Sequence, residues 1–291
     1  MVVTVLCQRD YAGMSERLAR ILRTLGVDAI AIAEKTQSKF GLTLARDIKT
    51  IGKKNVRKRL AKTNIVHFMT DTLYADTWGG FDIRGKKRVY TFIGSGFRRG
   101  REKCVSHAWH PVEKYKADFL SAGSPELCYN KDIHLMEAAW DSFEYKYKEG
   151  EFIVSHIPSS ATKKGSDIVG KGMALSGATI IYNSNITNES ALEIKSRSSI
   201  YIDQMLLPVY GHAAIEAMSM GVPVINWDEG LYPYETPIIK PVQKTDSAVA
   251  SAIRNHADSA KLKKLSLESF EYVKRVHGGM GQRWINIYKQ L

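Results

Sequence analysis

Between Ser199 and Glu229 the chain reads SIYIDQMLLPVYGHAAIEAMSMGVPVINWDE, the strongest structural signal in the sequence. A β-branched run predicts a buried strand ending at Asp203, followed by a loop. Gly211 opens a helix that runs through Met220, and Gly221 with Pro223 turns the chain into another buried strand. A helix entered through a glycine presents unpaired N–H groups and the positive end of its dipole, which suit a phosphate. Glu216 lies about one and a half turns into that helix, where a carboxylate can accept hydrogen bonds from ribose hydroxyls. Taken alone, the same pattern also describes a plain strand–helix–strand unit with Glu216 facing solvent.

Outward from this stretch, the alternation of short apolar runs with amphipathic segments occurs twice, the signature of parallel sheets covered by helices. In the first half, strands are predicted at Val2–Cys7, Val27–Ala33, Ile65–Met69, Arg88–Ile93 and Ala117–Ala122, with a helix over Met14–Leu25. In the second, they fall at Phe152–Ile157, Thr179–Tyr182, Ser199–Ile202 and Val222–Trp227, with helices starting near Gly165, Asn188 and Gly211. The polar run EYKYKEGE at 144–151 marks the junction. We expect one domain over 1–141 and a second over 142–281, with a last helix at 282–291, after the glycine-rich HGGMG, that can pack back on the first. Length agrees, since 291 residues suffice for about two domains of ordinary size, each with its own core.

Composition excludes several classes. Hydrophobic residues make up 44% and charged residues 25% of the chain, and no apolar run approaches the ~20 residues that cross a bilayer. The start, MVVTVLCQRD, reads as a strand and not as a signal peptide. Cys7, Cys104 and Cys128 are odd in number and far apart, which fits a reduced, cytoplasmic setting. The charge is unusual: 42 basic against 30 acidic residues leave +12. Residues 1–141 hold 25 Lys and Arg against 15 Asp and Glu, a net of +10, while the remainder carries +2. A basic excess confined to one half points to a polyanionic partner of that half.

The segment YIDQMLLPVYGHAAIEAMSMGVPVI, 201–225, resembles the donor-binding signature of retaining nucleotide-sugar glycosyltransferases of the GT-B fold, in its family-four form. FIVSHIPSSATKKGSDIV at 152–169 is similar to the family's strand and Lys-Gly loop, and DYAGMSERLARIL at 10–22 resembles its first glycine loop and helix. NIVHFM at 64–69 and VYTFIGSGFR at 89–98 look like two first-domain strands with their loops. The resemblance implies an α/β architecture of two Rossmann-like domains facing a cleft, the second holding the donor and the first receiving the acceptor. It implies a hexosyltransferase, with a UDP- or GDP-sugar as co-substrate and no further cofactor.

Carried over by position, Glu216 is expected on the ribose, with Gly211, His212 and Ala213 on the diphosphate or sugar. Lys164, beside Lys163 and Gly165, is expected to neutralise the departing diphosphate, as a fixed cation lowers that barrier. Gly13 is expected to let the first-domain loop approach the phosphates, although a helix-entry glycine explains it equally. His67 and Ser95, with Lys164 and Glu216, are the catalytic candidates, and His107 and His110 are further histidines; a His there can bond a sugar hydroxyl or accept the acceptor's proton, while a structural role is the simpler account of any single one. Two positions depart from the family: Pro208 stands where a second Glu is usual, and Ser160 and Ala161 offer no Arg before the Lys-Gly pair, a gap that Lys163 can fill. The stereochemical outcome therefore stays open. No Asp-x-Asp pair is present, and a reaction without metal is expected.

The basic excess falls in two windows. RDIKTIGKKNVRKRLAK, 46–62, has eight basic residues and one acidic one, and 84–103 is similarly rich. Lys53, Lys54, Arg57, Lys58, Arg59, Arg98, Arg99 and Arg101 are the candidate acceptor-binding residues. Tyr74, Trp78, Phe97 and Trp109 lie near enough in sequence to stack on, or replace, a flipped base. DNA carrying a hydroxymethylated base, as in phage-type DNA glycosyltransferases acting in a host cytoplasm, is the favoured acceptor. The alternative is a lipid or surface saccharide at an anionic membrane, since Ile48, Ile51, Val56 and Leu60 form a rough stripe between cations, as in an interfacial helix. A binding protein that lost catalysis and a nucleotide-sugar epimerase are further alternatives on the same architecture.

Overall fold

The structure is a computed structural model, which describes residues 1–35, 42, 44–70, 74, 76–93, 117–128, 132–147 and 149–291. The described residues form two compact units, one of residues 1–141 together with His277–Leu291, the other Ser142–Val276.

In the first unit the strands are β1 (Val2–Cys7), β2 (Asp28–Ala33), β3 (Arg46–Asp47), β4 (Ile65–Thr70), β5 (Thr77–Trp78), β6 (Phe81–Asp82), β7 (Lys87–Phe92), β8 (Phe119–Ala122) and β9 (His134–Leu135). Seven of them make one sheet in the order β3-β2-β1-β4-β7-β8-β9, every pair parallel, while β5 and β6 form a separate antiparallel hairpin. Parallel strands joined by crossover helices are covered on both faces, which is why VVTVLC and IVHFMT are apolar almost throughout and buried almost throughout. Helix α1 (Met14–Thr24) buries Leu18, Ile21 and Leu22. The window 46–62 is not one helix: β3 is followed by α2 (Ile48–Ile51) and α3 (Lys53–Lys62), separated by Gly52 at φ 84°. That left-handed backbone breaks the helix and is cheap only for glycine.

The second unit contains β10 (Ile153–His156), β11 (Thr179–Tyr182), β12 (Ile200–Ile202), β13 (Val224–Ile225) and β14 (Ile238–Ile239), in the order β11-β10-β12-β13-β14, again all parallel. Its helices are α4 (Ala161–Lys164), α5 (Ser166–Ser176), α6 (Asn188–Ser196), α7 (His212–Met218), α8 (Asp246–Asn255) and α9 (Ser259–Val273). Thr187, Thr245 and Asp258 cap α6, α8 and α9 by accepting backbone N–H groups with their side chains. Helices α5 and α8 meet at Gly172, where a Cβ would lie 2.7 Å from Val249 and 2.8 Å from the Asp246 carbonyl, so only glycine permits that approach.

A π-helix at Lys274–Gly278 leads into α10 (Met280–Gln290), which belongs to the first unit. Gly281 lies against α1 so closely that a Cβ would stand 2.3 Å from Ile21. Trp284 and Tyr288 of α10 are buried in the same unit.

Candidate active site

Two short connections in the second unit place the donor candidates. After β12, Asp203 is fully buried, and Gln204 folds its amide onto the Val209 carbonyl, closing the loop that leads to Gly211. Gly165 ends α4 and starts α5 at φ 68°, where a Cβ would lie 3.3 Å from Met205 and 3.1 Å from Leu206, and the Met205 N–H donates to the Lys164 carbonyl at 3.0 Å. These contacts bring Lys164 and Gly211 to one carboxylate. Lys164 Nζ donates to Asp203 Oδ1 at 2.6 Å, and the Gly211 N–H donates to Oδ2 at 2.6 Å. Burial pushes the Asp203 carboxyl up, but the Lys164 ammonium and the Gly211 N–H outweigh it, and the carboxyl ends below its ordinary range.

Glu216 lies on α7 and is buried. Its Oε2 accepts from Lys195 of α6, and its Oε1 accepts from Asn188 Nδ2 at 3.2 Å. Lys195 is itself buried, with its ammonium 5.0 Å from the centre of the Tyr201 ring. In this structure the expected ribose acceptor is therefore a partner in an internal ion pair. His212 and Ala213 are half-buried at the start of α7, and Lys163 is exposed beside Lys164. The sequence reading missed Asp203, Lys195 and Asn188. A carboxylate at the carboxyl end of a buried strand was the available signal for Asp203, because ligands of open α/β sheets gather at those ends. Nothing in ALEIKSRSS marks Lys195 for burial.

In the first unit several of the expected site residues have internal partners. Gly13 adopts φ 68° next to Ala12 at φ 52°, and this turn lets the buried Asp10 accept from the N–H groups of Ser15 at 2.8 Å, Glu16 at 3.2 Å and Ala45 at 2.8 Å. A carboxylate thus already occupies donors at the start of α1, so Gly13 serves an internal cap. His67 is a core residue: its ring is fully buried, 4.4 Å from that of Trp284, with Nδ1 2.6 Å from the Tyr288 hydroxyl and Nε2 2.7 Å from Thr91 Oγ1. Both ring nitrogens are engaged, which leaves none for a substrate. Trp78 is fully buried and offers no stacking face, while Tyr74 is stacked on Phe68 at 5.3 Å and donates to Glu34 at 3.1 Å. Ser95, Arg98, Arg99, Arg101, Phe97, His107, Trp109 and His110 lie outside the described residues.

The cations of α3 divide by partner. Lys53, Lys54, Arg57 and Lys58 are exposed and form no ion pair among the described residues. Arg59, in contrast, donates to Asp28 Oδ1 at 2.6 Å, to the Asp28 carbonyl at 2.7 Å and to the Val3 carbonyl at 2.8 Å, anchoring α3 to the sheet. The apolar side of this segment also faces inward, with Val56 and Leu60 in the core and Ile48 and Ile51 packed against it. In the second window Arg84 pairs with Asp82, Lys87 with Asp118, and the buried Arg88 with Asp76.

Three buried histidines set an acid limit on stability. Burial pushes His67 down to about 3, and it pushes His156 and His277 down to about 4 against the upward pull of the Ile202 and Ala138 carbonyls. Each binds a proton more readily when unfolded, so its contribution is complete above 6.5 and is lost as pH falls below that value. The loss reaches on the order of 1.4 kcal/mol per pH unit for each histidine. Thermal unfolding is expected to be nearly constant between pH 7 and 8 and to shift down by several degrees between pH 6.5 and 5. An unchanged midpoint at pH 5 would contradict this burial.

With the two parallel sheets and this cluster in place, the molecule has the GT-B fold of two Rossmann-like units, shared with known glycosyltransferases. No family model matches the chain, and no curated protein matches it in sequence. Among solved structures it is similar to sucrose-phosphate synthase from Thermosynechococcus elongatus, with a TM-score of 0.66 at 14% identity over 100% of this chain and 99% of that one. It is similar to an alpha-glucosyltransferase in complex with UDP and a 13-mer DNA containing an HMU base, with a TM-score of 0.65 at 10% identity over 99% of each chain. It also resembles WaaG, a glycosyltransferase involved in lipopolysaccharide biosynthesis, with a TM-score of 0.59 at 12% identity over 98% of this chain and 99% of that one.

Proposed function

We propose that this protein is a nucleotide-sugar glycosyltransferase whose acceptor is DNA, the sugar passing to a hydroxyl of a modified base. The enzyme class rests on the fold together with the convergence of Lys164 and Gly211. The observation that carries the acceptor is the exposed face of α3, where Lys53, Lys54, Arg57 and Lys58 have no carboxylate partner among the described residues. Duplex DNA presents one negative charge per ~1.7 Å of axis, so a cationic helix face of this density meets several phosphates at once. The likeness to a DNA-bound alpha-glucosyltransferase supports the same reading. The membrane reading loses its apolar anchor, because Val56 and Leu60 point into the core.

In the proposed reaction the anomeric C–O bond to the diphosphate breaks, and its electron pair passes to the β-phosphate oxygen. The acceptor oxygen forms the new bond at the anomeric carbon and loses its proton to water. Lys164 meets the charge that accumulates on the leaving diphosphate, and Lys163 stands beside it as a second cation.

Labelled UDP- and GDP-sugars are to be incubated with hydroxymethylated duplex DNA, and separately with anionic vesicles carrying saccharide lipids. Transfer to DNA is the expected result; transfer only to the vesicles would replace the DNA acceptor with the lipid one. The double replacement Lys54→Glu and Lys58→Glu is expected to weaken DNA binding by at least ~10-fold and to flatten its salt dependence by about one unit per cation lost. Donor hydrolysis should be spared, and an equal loss of both activities would argue against a separate acceptor face.

A further inference from the structure

Lys164 Nζ, the group proposed to meet the donor diphosphate, donates to Asp203 at 2.6 Å, and the Gly211 N–H is spent on the same carboxylate at 2.6 Å. The carboxylate is fully buried, whereas the lysine side chain is 16% exposed. A Cβ on Gly211 would lie 3.2 Å from Asp203 Oδ2 and 3.2 Å from Lys164 Nζ, so three groups converge where the chain carries no side chain. Of the three N–H bonds of the Lys164 ammonium, one is used by Asp203, and no other acceptor engages it among the described residues. Taking a carboxylate fully out of water is expensive, and here the ammonium and a backbone N–H offset that cost.

We propose that Asp203 is a positioning residue for the diphosphate, a reading that rests on the donor site assigned above. It holds the Lys164 ammonium in one place beside Gly211 and cancels most of the lysine's net charge. Fixed position serves the transition state, because a donor already aimed at the leaving oxygen needs no reorganisation as charge develops there. Cancelled net charge acts in the other direction on the ground state. A nucleoside diphosphate facing a neutral Lys–Asp pair is bound less tightly than one facing a lone lysine, so product leaves more readily. Asp203 thereby trades affinity for turnover.

The two effects separate in Asp203→Asn, which keeps an oxygen for hydrogen bonding and removes the charge. Calorimetric titration with UDP and with GDP is expected to give a Kd about ten-fold lower than wild type, equivalent to ~1.4 kcal/mol, while kcat for transfer falls at least ten-fold. In a Lys164→Met background the same replacement should no longer lower kcat, because Asp203 positions the diphosphate only through the lysine. A Kd that is unchanged or higher in Asp203→Asn, or a kcat that falls only in proportion to folded protein, would overturn the proposal. Wild-type protein that binds neither nucleotide, or Lys164→Met that binds them as well as wild type, would overturn the donor-site reading itself. If Asp203→Asn does not fold, Gly211→Ala tests the same bridge: its Cβ crowds both partners without changing charge, so kcat should fall with little change in donor KM. An unaltered kcat in that variant would overturn the positioning role.

Discussion

Glu216→Ala is expected to destabilise the second unit by ~3–5 kcal/mol, the usual result of removing one member of a buried ion pair. The alanine would leave the Lys195 ammonium buried beside the Tyr201 ring without the carboxylate it donates to, and it would also remove the acceptor of Asn188. Urea unfolding measures the loss directly. Replacing both partners, as Glu216→Gln with Lys195→Met, should recover most of the stability, since no uncompensated charge then remains. Wild-type stability in Glu216→Ala would mean that the pair contributes nothing to the fold. Because Glu216 is also the proposed ribose contact, activity lost in the single variant must be compared with the double one before it is assigned to nucleotide binding.

Lys164→Ala is expected to lower transfer by ~10²–10³-fold, the range seen when one preorganised charge-stabilising donor is removed from an active site. Wild-type rates in the folded variant would refute the donor role. A stability cost should accompany the loss, because Asp203 is fully buried and would keep only the Gly211 N–H as hydrogen-bond donor and the Lys195 charge acting on it without a hydrogen bond. Burial would then hold its carboxyl above the unfolded value, so the folded state binds the proton more tightly. The stability deficit of Lys164→Ala should accordingly be smallest at acid pH and grow as pH rises towards neutrality. Adding Asp203→Asn should restore stability and leave transfer low, which separates folding from chemistry.

Arg59 and His67 illustrate why residue type is a poor guide to availability. Both belong to chemically suggestive patterns, a cationic run and a histidine at a strand end, yet Arg59 holds α3 to the sheet and His67 completes a hydrogen-bonded core with Thr91 and Tyr288. Trp78 departs in the same direction, since its large apolar surface is worth more inside than as a platform. The short strands β3, β9 and β14 escaped the sequence reading because two residues carry no periodicity. In β14, two isoleucines between Pro237 and Pro241 are the whole signal.

Periodicity and apolar runs along the chain determined the two parallel-sheet units and the uneven charge, because burial on both faces of a parallel sheet constrains every residue of a strand, and charge is additive. The window around Gly211 likewise carries its strand–loop–helix order in its own glycines and proline. Which charges are spoken for was decided only by tertiary structure. Asp203 meets Lys164 across 39 residues, Glu216 meets Lys195 across 21, and Arg59 meets Val3 across 56. Ion pairs and hydrogen bonds depend on distances of a few ångströms between segments remote in sequence. The exposed cations of α3 and the Lys164–Asp203 bridge emerge only when the chain is folded.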